Sequence, residues 1–296
     1  MQRPARATIA DVAKAAGVSK ATVSRFLNHR ERLLSPDIAA RVEAAVAQLA
    51  YTPSPMAQAL SHGRSRLIGL FVADTVFALL MAASRRVVEL STLVREGRWT
   101  KNIDEDLFGF DVHGKTLGLL GFGRIGQAIA RRAALGFGMP VLYHARRAVD
   151  LALQAPELQG RAAHTPLDEL LARADFVVAM LPLSDSTRGM VDAKFFAAMK
   201  PGAIFINGGR GATVQEDALL AALDHGTLRA AGLDVFATEP LPAASPLRTH
   251  PRVTPLPHIG SATHETRHAM AELATTNLLR ALAGERPTAV YDTAAA

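Results

Sequence analysis

Thr116-Leu117-Gly118-Leu119-Leu120-Gly121-Phe122-Gly123-Arg124-Ile125-Gly126 decides how the larger part of this 296-residue chain folds. An apolar run, Thr116 to Leu120, leads straight into a G-x-G-x-x-G loop, and Gln127 to Ala134 continues with helical periodicity. Alone the loop is a weak signal; between a strand and a helix it predicts a dinucleotide-binding turn. Gly121 permits the tight turn, Gly123 lets backbone amides approach a pyrophosphate, and Gly126 allows the helix to pack closely. The helix N-terminus adds a favourable dipole for the phosphates.

Downstream, Pro140 to Tyr143 reads as the next strand, ending at His144-Ala145-Arg146-Arg147. An acid for the ribose hydroxyls is usual there; a carboxylate repels a 2′-phosphate, whereas two guanidiniums clasp it, so NADP(H) is favoured over NAD(H). The alternative is a solvated arginine pair. Further strands are predicted at 176–181, 203–207, 231–235 and 253–256, each followed by polar or glycine-rich residues. The pattern is α/β: a Rossmann-type, doubly wound parallel sheet whose ligands bind at the carboxyl ends of the strands. Arg210, Glu239 and His258 fall at such ends. Reducing a 2-keto acid needs a cation to orient carboxylate and carbonyl, an acid to protonate the oxygen, and a carboxylate beside that acid.

Those residues, with Gly232-Leu233-Asp234-Val235-Phe236, Glu239-Pro240 and Pro257-His258-Ile259-Gly260-Ser261-Ala262-Thr263, resemble the D-isomer-specific 2-hydroxyacid dehydrogenases from about Ala73 to Val290. Within that family the His144 to Arg147 stretch is most similar to glyoxylate/hydroxypyruvate and 2-ketogluconate reductases. The resemblance implies that Arg210 binds substrate, that His258 is the acid/base paired with Glu239, and that Asp234 sits by the nicotinamide. The cofactor set is Gly121, Gly123, Arg124, Ile125, Gly126, Arg146, Arg147, Leu181, Pro182, Thr187, Gly209, Asp234 and Gly260. It further implies that 75–95 form a long helix and that Leu93 to Phe110 form an arm that wraps a partner subunit, hence a homodimer. The substrate lobe that precedes Ala73 in relatives has no counterpart, which puts turnover in doubt.

The first residues carry a different signal. Thr8 with Asp11 resembles a capping box, Ile9, Val12 and Ala13 form an apolar face, and Ala16-Gly17-Val18 breaks the helix. Ser19 caps a second helix, Lys20 to Asn28, with Val23, Phe26 and Leu27 inward; Ser35-Pro36 opens a third, bearing Ile38, Val42, Ala45, Val46 and Leu49. Short side chains near the start of the second helix allow close approach to base edges, and cations grip the flanking phosphates. Thr8 to Ala13, Gly17-Val18-Ser19, Ala21 to Asn28 and Tyr51-Thr52-Pro53 strongly resemble the LacI family of repressors over about residues 7–72. By that resemblance Ser19, Lys20, Ala21, Thr22, Ser24, Arg25 and Asn28 read operator DNA. Ala57 to Leu60 correspond to a hinge helix, Leu60 being its minor-groove wedge, and Leu67 to Val72 look like a first core strand. Gln58 stands where many members have arginine. A small all-α helix-turn-helix unit used only for packing is the alternative.

Charge follows the same division. Residues 1–66 hold ten Lys/Arg against four acids, which accounts for the whole formal net charge of +6. The rest balances at 23 of each sign. A basic head suits phosphate neutralisation, though an ordinary solvated surface carries such charge too. With no cysteine, disulfides, Cys-ligated zinc and thiol nucleophiles are excluded. No signal peptide and no stretch near ~18 uninterrupted apolar residues is evident, which reads as a cytoplasmic protein with no membrane association. His264-Glu265-Thr266-Arg267-His268 fits H-E-x-x-H, but Thr263 reads as an N-cap, so the motif falls in a helix's first turn and no metal site is assigned. The expected domains are 1–52 (helix-turn-helix), 53–74 (hinge, linker and fusion seam) and 75–290 (nucleotide-binding). The leading reading is an NADP-preferring 2-hydroxyacid oxidoreductase joined to a DNA-binding headpiece. Its rivals are a DNA-binding regulator using the nucleotide domain for dimerisation or sensing, and a fusion without a selected role.

Overall fold

The computed structural model describes residues 9–27, 34–49 and 67–287. Two compact units are present, 1–65 with 277–296, and 66–276. In the first, α1 (Ile9–Ala16), α2 (Lys20–Leu27) and α3 (Pro36–Gln48) enclose a small core of Val12, Ala13, Ala16, Val23, Val42 and Ala45. Phe26, Ile38, Val46 and Leu49 pack against it. Their spacing is the i, i+3, i+4 pattern of the sequence, and it works because one apolar stripe on each short helix is all that three helices need to exclude water. The turn between α1 and α2 rests on Gly17, whose φ of +63° suits glycine. Arg41 closes that turn from α3, donating to the Ala16 and Gly17 carbonyls. Ser19 Oγ accepts the Thr22 amide at 3.1 Å, and Ser35 caps α3 with Pro36 at its first position. Thr8, Asn28 and residues 50–66, including the expected hinge helix and Leu60, lie outside the described residues.

The second unit is a seven-stranded sheet in the order β3-β2-β1-β4-β5-β6-β7, every neighbouring pair parallel. The strands are β1 (Leu117–Leu120), β2 (Val141–His144), β3 (Ala162–His164), β4 (Phe176–Ala179), β5 (Ala203–Asn207), β6 (Leu228–Leu233) and β7 (Val253–Pro255). Side chains alternate between two cores: Leu117, Leu119, Phe176, Val178, Ile204 and Ile206 point to one, Leu120, Val177, Ala179, Ala203 and Phe205 to the other. Both faces are buried, so the strands read as continuous apolar runs rather than alternating ones.

α4 (Leu67–Ser84) and α6 (Arg124–Arg131) cover the first face; α7 (Leu167–Arg173), α8 (Ala193–Ala198) and α9 (Glu216–Asp224) cover the second. α4 buries Val76, Leu79 and Leu80 almost completely, each contributing about 1.5–3 kcal/mol. Glycines make room for it: a Cβ at Gly208 would stand 2.8 Å from Val76 Cγ2, and one at Gly232 3.0 Å from Leu79 Cβ. α4 corrects two expectations. Leu67 to Val72 is helix, not a repressor-core strand: a short apolar run fits either state, and this one continues without a break into the apolar stripe of α4. The long helix expected over 75–95 is two helices, α4 and α5 (Val87–Arg95), separated at Arg86, which adopts φ +53°. Arg86 is held there by a bidentate pair with Glu89 and a hydrogen bond to the Asp106 carbonyl. The last helix, α10 (His264–Leu282), begins after Thr263, whose hydroxyl accepts the Thr266 amide. Among the described residues no helix is long and apolar enough to cross a membrane.

Candidate active site

Because β1, β4, β5 and β6 run parallel, their carboxyl ends lie along one edge of the sheet. At β1 the glycines do what their spacing requires. Gly121 has φ +91°, and a Cβ there would stand 2.7 Å from the Met180 carbonyl oxygen. A Cβ at Gly126 would overlap the Gly121 carbonyl oxygen, so α6 sits hard against the turn. Gly123, the N-cap of α6, has nothing within 4 Å of where a Cβ would be. That open space over a helix N-terminus fits a pyrophosphate, which needs close backbone approach and donated amides. Arg124 is exposed beside it and Ile125 anchors the turn to the core. Arg146 and Arg147 are exposed just beyond β2. Beneath them, Phe122 stacks on Tyr143 with centroids 3.8 Å apart.

Leu181 and Pro182 follow β4. Thr187 folds back, its hydroxyl donating to the Pro182 carbonyl at 2.6 Å and accepting the Ser184 amide at 2.8 Å. Gly209 is pressed against the Leu181 backbone, where a Cβ would meet the carbonyl oxygen at 2.9 Å. Its amide donates to Asn207 Oδ1 at 3.1 Å, and Asn207 Nδ2 donates to the Arg210 carbonyl. Asn207, buried at the end of β5, thus shapes the loop that carries Arg210. It was not singled out from sequence, although its place directly before Gly208-Gly209 is a signal.

The structure brings Glu239 and His258 together. His258 Nδ1 lies 2.7 Å from Glu239 Oε2, and Glu239 Oε1 accepts the Phe236 amide at 3.0 Å. His258 itself has φ +53°, an uncommon conformation for a non-glycine residue. Asp234 is almost fully buried, and its two carboxylate oxygens accept the Ile259 and Gly260 amides at 2.7 and 2.8 Å. It therefore clamps the segment that presents His258, a task the sequence did not reveal. Burial pushes the Asp234 carboxyl above its ordinary value against the pull of those two amides and of His258. Partial burial would also raise Glu239, but the His258 hydrogen bond, the Phe236 amide and the His258 and Arg210 charges outweigh it, and its carboxyl sits below the ordinary value. Arg210 is exposed; its Nη1 donates to the Gly209 carbonyl at 2.7 Å, and it acts on Glu239 through its charge rather than through a direct contact.

A parallel sheet with this glycine turn, this clamp and this imidazole–carboxylate pair has relatives. Residues 77–260 match the family model "D-isomer specific 2-hydroxyacid dehydrogenase, NAD binding domain". The chain belongs to the D-isomer specific 2-hydroxyacid dehydrogenase family. Glyoxylate/hydroxypyruvate reductase B of Escherichia fergusonii is 55% identical over 215 residues, covering 72% of this chain and 64% of that one. The Klebsiella pneumoniae protein of the same name is 56% identical over 215 residues, covering 72% and 65%. This dehydrogenase-family chain thus spans just under two thirds of the length of those relatives. Among solved structures, a glyoxylate reductase from Paecilomyes thermophila superposes with a TM-score of 0.65 at 35% identity, covering 81% of this chain and 67% of that one. A family member from Xanthobacter autotrophicus in complex with NADPH and MES gives 0.59 at 33% identity, covering 74% and 85%. Residues 8–54 match a second family model, "Bacterial regulatory proteins, lacI family".

His264 and His268 are exposed on the first turns of α10, and His268 approaches Glu272 at 3.6 Å. Among the described residues no cluster of three or more His, Asp or Glu is arranged to hold a metal.

Proposed function

We propose that the chain is an NADP(H)-preferring reductase of small 2-keto acids such as glyoxylate, hydroxypyruvate or 2-ketogluconate, carrying a DNA-binding headpiece, in the cytoplasm. The observation that carries the enzymatic reading is the 2.7 Å His258–Glu239 pair, which follows β6 and β7 at the same edge of the parallel sheet as the glycine turn after β1. A nicotinamide dinucleotide bound at that turn supplies the hydride. The chain's own residues do the rest. Arg210 orients the substrate carboxylate and carbonyl, and Asp234 holds the Ile259–Gly260 segment in register beside the nicotinamide position. Glu239 accepts a hydrogen bond from the Nδ1–H of His258 and stabilises the imidazolium, whose Nε2 proton goes to the carbonyl oxygen as the hydride arrives. Because Glu239 titrates below its ordinary value, the pair is intact above the usual carboxylate range. Its contribution to activity and to folding is lost only as pH falls through the depressed value.

His258 retains 49% side-chain exposure and Arg210 is exposed, which supports reduced turnover: water competes for both groups and weakens their electrostatic hold on the transition state. For the cofactor, changing Arg146 and Arg147 together to alanine is expected to weaken NADPH binding about 10- to 100-fold and leave NADH binding unchanged. Calorimetric titration of both dinucleotides checks this. Equal loss for both would remove the assignment of the arginines to the 2′-phosphate.

The DNA-binding reading is supported by the lacI-family match over 8–54 and by the first unit's three-helix core. The proposed division is 1–52, 53–74 and 75–290, its last boundary falling within α4, which runs Leu67–Ser84. We infer that Ser19, Lys20, Ala21, Thr22, Ser24, Arg25, Asn28 and Leu60 contact a palindromic operator. Arg25→Ala is expected to weaken operator binding and to reduce the slope of log K against log salt by about one. Fluorescence anisotropy at several salt concentrations measures both, and an unchanged slope would exclude a phosphate role. A homodimer is supported by the solvent-facing Val87 and Val94 of α5 and Trp99 and Ile103 of the following arm, each more than 40% exposed.

A further inference from the structure

From the amino ends of β5 and β6 along the edge strand β7 runs a cavity of about 930 Å³ within the second unit. The lining takes the residues at the starts of β5 and β6 and runs along the edge strand β7 as far as Pro255, whereas Asn207, Asp234, Glu239 and His258 do not line it. Leu228, Ala230 and Val253 line the cavity from the sheet, Val88 and Thr92 from α5, and Glu105, Asp106 and Phe108 from the arm. Arg229, Arg248, Arg252, Glu105 and Asp106 are exposed, so the space is open to solvent on one side and large enough for a small molecule.

The charges lining it are of both signs. Five arginines line the space: Arg86, Arg98, Arg229, Arg248 and Arg252. Two are committed, Arg86 to Glu89 and Arg98 to Glu96. The other three have no carboxylate partner among the described residues. The Arg229 guanidinium lies 4.8 Å from the Phe110 ring centroid, while Arg248 and Arg252 each give one N–H to a backbone carbonyl, of Ala243 and Leu223. A guanidinium has five N–H donors, so most of their capacity is unused by the protein. All three belong to the segments at the starts of β6 and β7, whereas Glu105 and Asp106 come from the arm. The three arginines without a carboxylate partner and the two arm carboxylates thus enter the cavity from different elements.

We propose that this cavity is an effector site for a phosphorylated polyol. Arg229, Arg248 and Arg252 take the phosphate, for which planar guanidiniums are matched donors, and the Glu105 and Asp106 carboxylates accept from the hydroxyls. No residue of the nucleotide cleft takes part, so the site stands whether or not the oxidoreductase reading does.

Calorimetry on the full chain tests it with three probes: 6-phosphogluconate, inorganic phosphate and unphosphorylated gluconate. The phosphorylated polyol should bind more tightly than phosphate, and gluconate should not bind. Arg229→Gln with Arg248→Gln should weaken 6-phosphogluconate about tenfold or more. Glu105→Gln should weaken the phosphorylated polyol while sparing inorganic phosphate. NADPH titrations on the same variants should be unchanged, which shows that they fold and separates this site from the cleft. No binding of 6-phosphogluconate, equal binding of it and phosphate, or binding lost in the Arg146/Arg147 variant but kept in the Arg229/Arg248 variant would each overturn the assignment.

Discussion

His258→Ala is expected to lower kcat/KM for hydroxypyruvate or glyoxylate by about 10²- to 10⁴-fold, the range for removing a positioned general acid. The dissociation constant for NADPH should stay the same, because the glycine turn at Gly121, Gly123 and Gly126 is a separate loop that His258 does not touch. Stopped-flow absorbance at the nicotinamide band gives the rate, and calorimetry gives the affinity. Glu239→Gln separates chemistry from fold. Its amide keeps an acceptor for the Phe236 N–H but removes the negative charge beside Nδ1. The rate should fall while NADPH affinity and folding are kept, since only the charge beside the acid is lost. A His258→Ala enzyme that keeps the parent rate would end the assignment of the acid.

The glycine turn was legible because backbone sterics leave little choice: Gly121 needs positive φ and Gly126 needs to lack a Cβ, and the sequence displays both directly. The three headpiece helices were legible for a similar reason, since each apolar stripe is short and bounded by a cap or a glycine. β3 was missed because Ala162-Ala163-His164 carries no β-branched residue and pairs only along its β2 edge. The break at Arg86 was missed because neither glycine nor proline marks it; the left-handed residue is held by tertiary contacts with Glu89 and the Asp106 carbonyl. In the candidate site, residue types were readable but second partners were not. That Asp234 spends both oxygens on the amides of Ile259 and Gly260 depends on two loops meeting, which spacing along the chain does not encode.

Gly211→Ala should cause the largest loss of stability of any single methyl addition in the second unit. The new Cβ would overlap the carbonyl carbon and oxygen of Phe236 and come within 2.5 Å of the Ala237 nitrogen. These are backbone atoms, so no rotamer change relieves the clash. Phe236 is buried, its amide holds Glu239, and the next amide, of Ala237, donates to Glu216. The loop must therefore shift as a unit, taking Glu239 away from His258. Overpacking of this kind costs about 3 kcal/mol. At roughly 2–4 °C per kcal/mol for a domain of this size, the melting temperature should fall by about 6–12 °C, with turnover reduced alongside it. Gly123→Ala is the matched comparison. Its φ of −71° is ordinary and its Cβ would meet nothing within 4 Å, so melting should be unchanged. The methyl would fill the space that backbone amides need to approach a pyrophosphate, so NADPH affinity should drop. The two substitutions add the same atom and separate a loop that positions the acid pair from a turn that receives the nucleotide. If Gly123→Ala bound NADPH like the parent, or Gly211→Ala melted like it, the corresponding half of that division would be wrong.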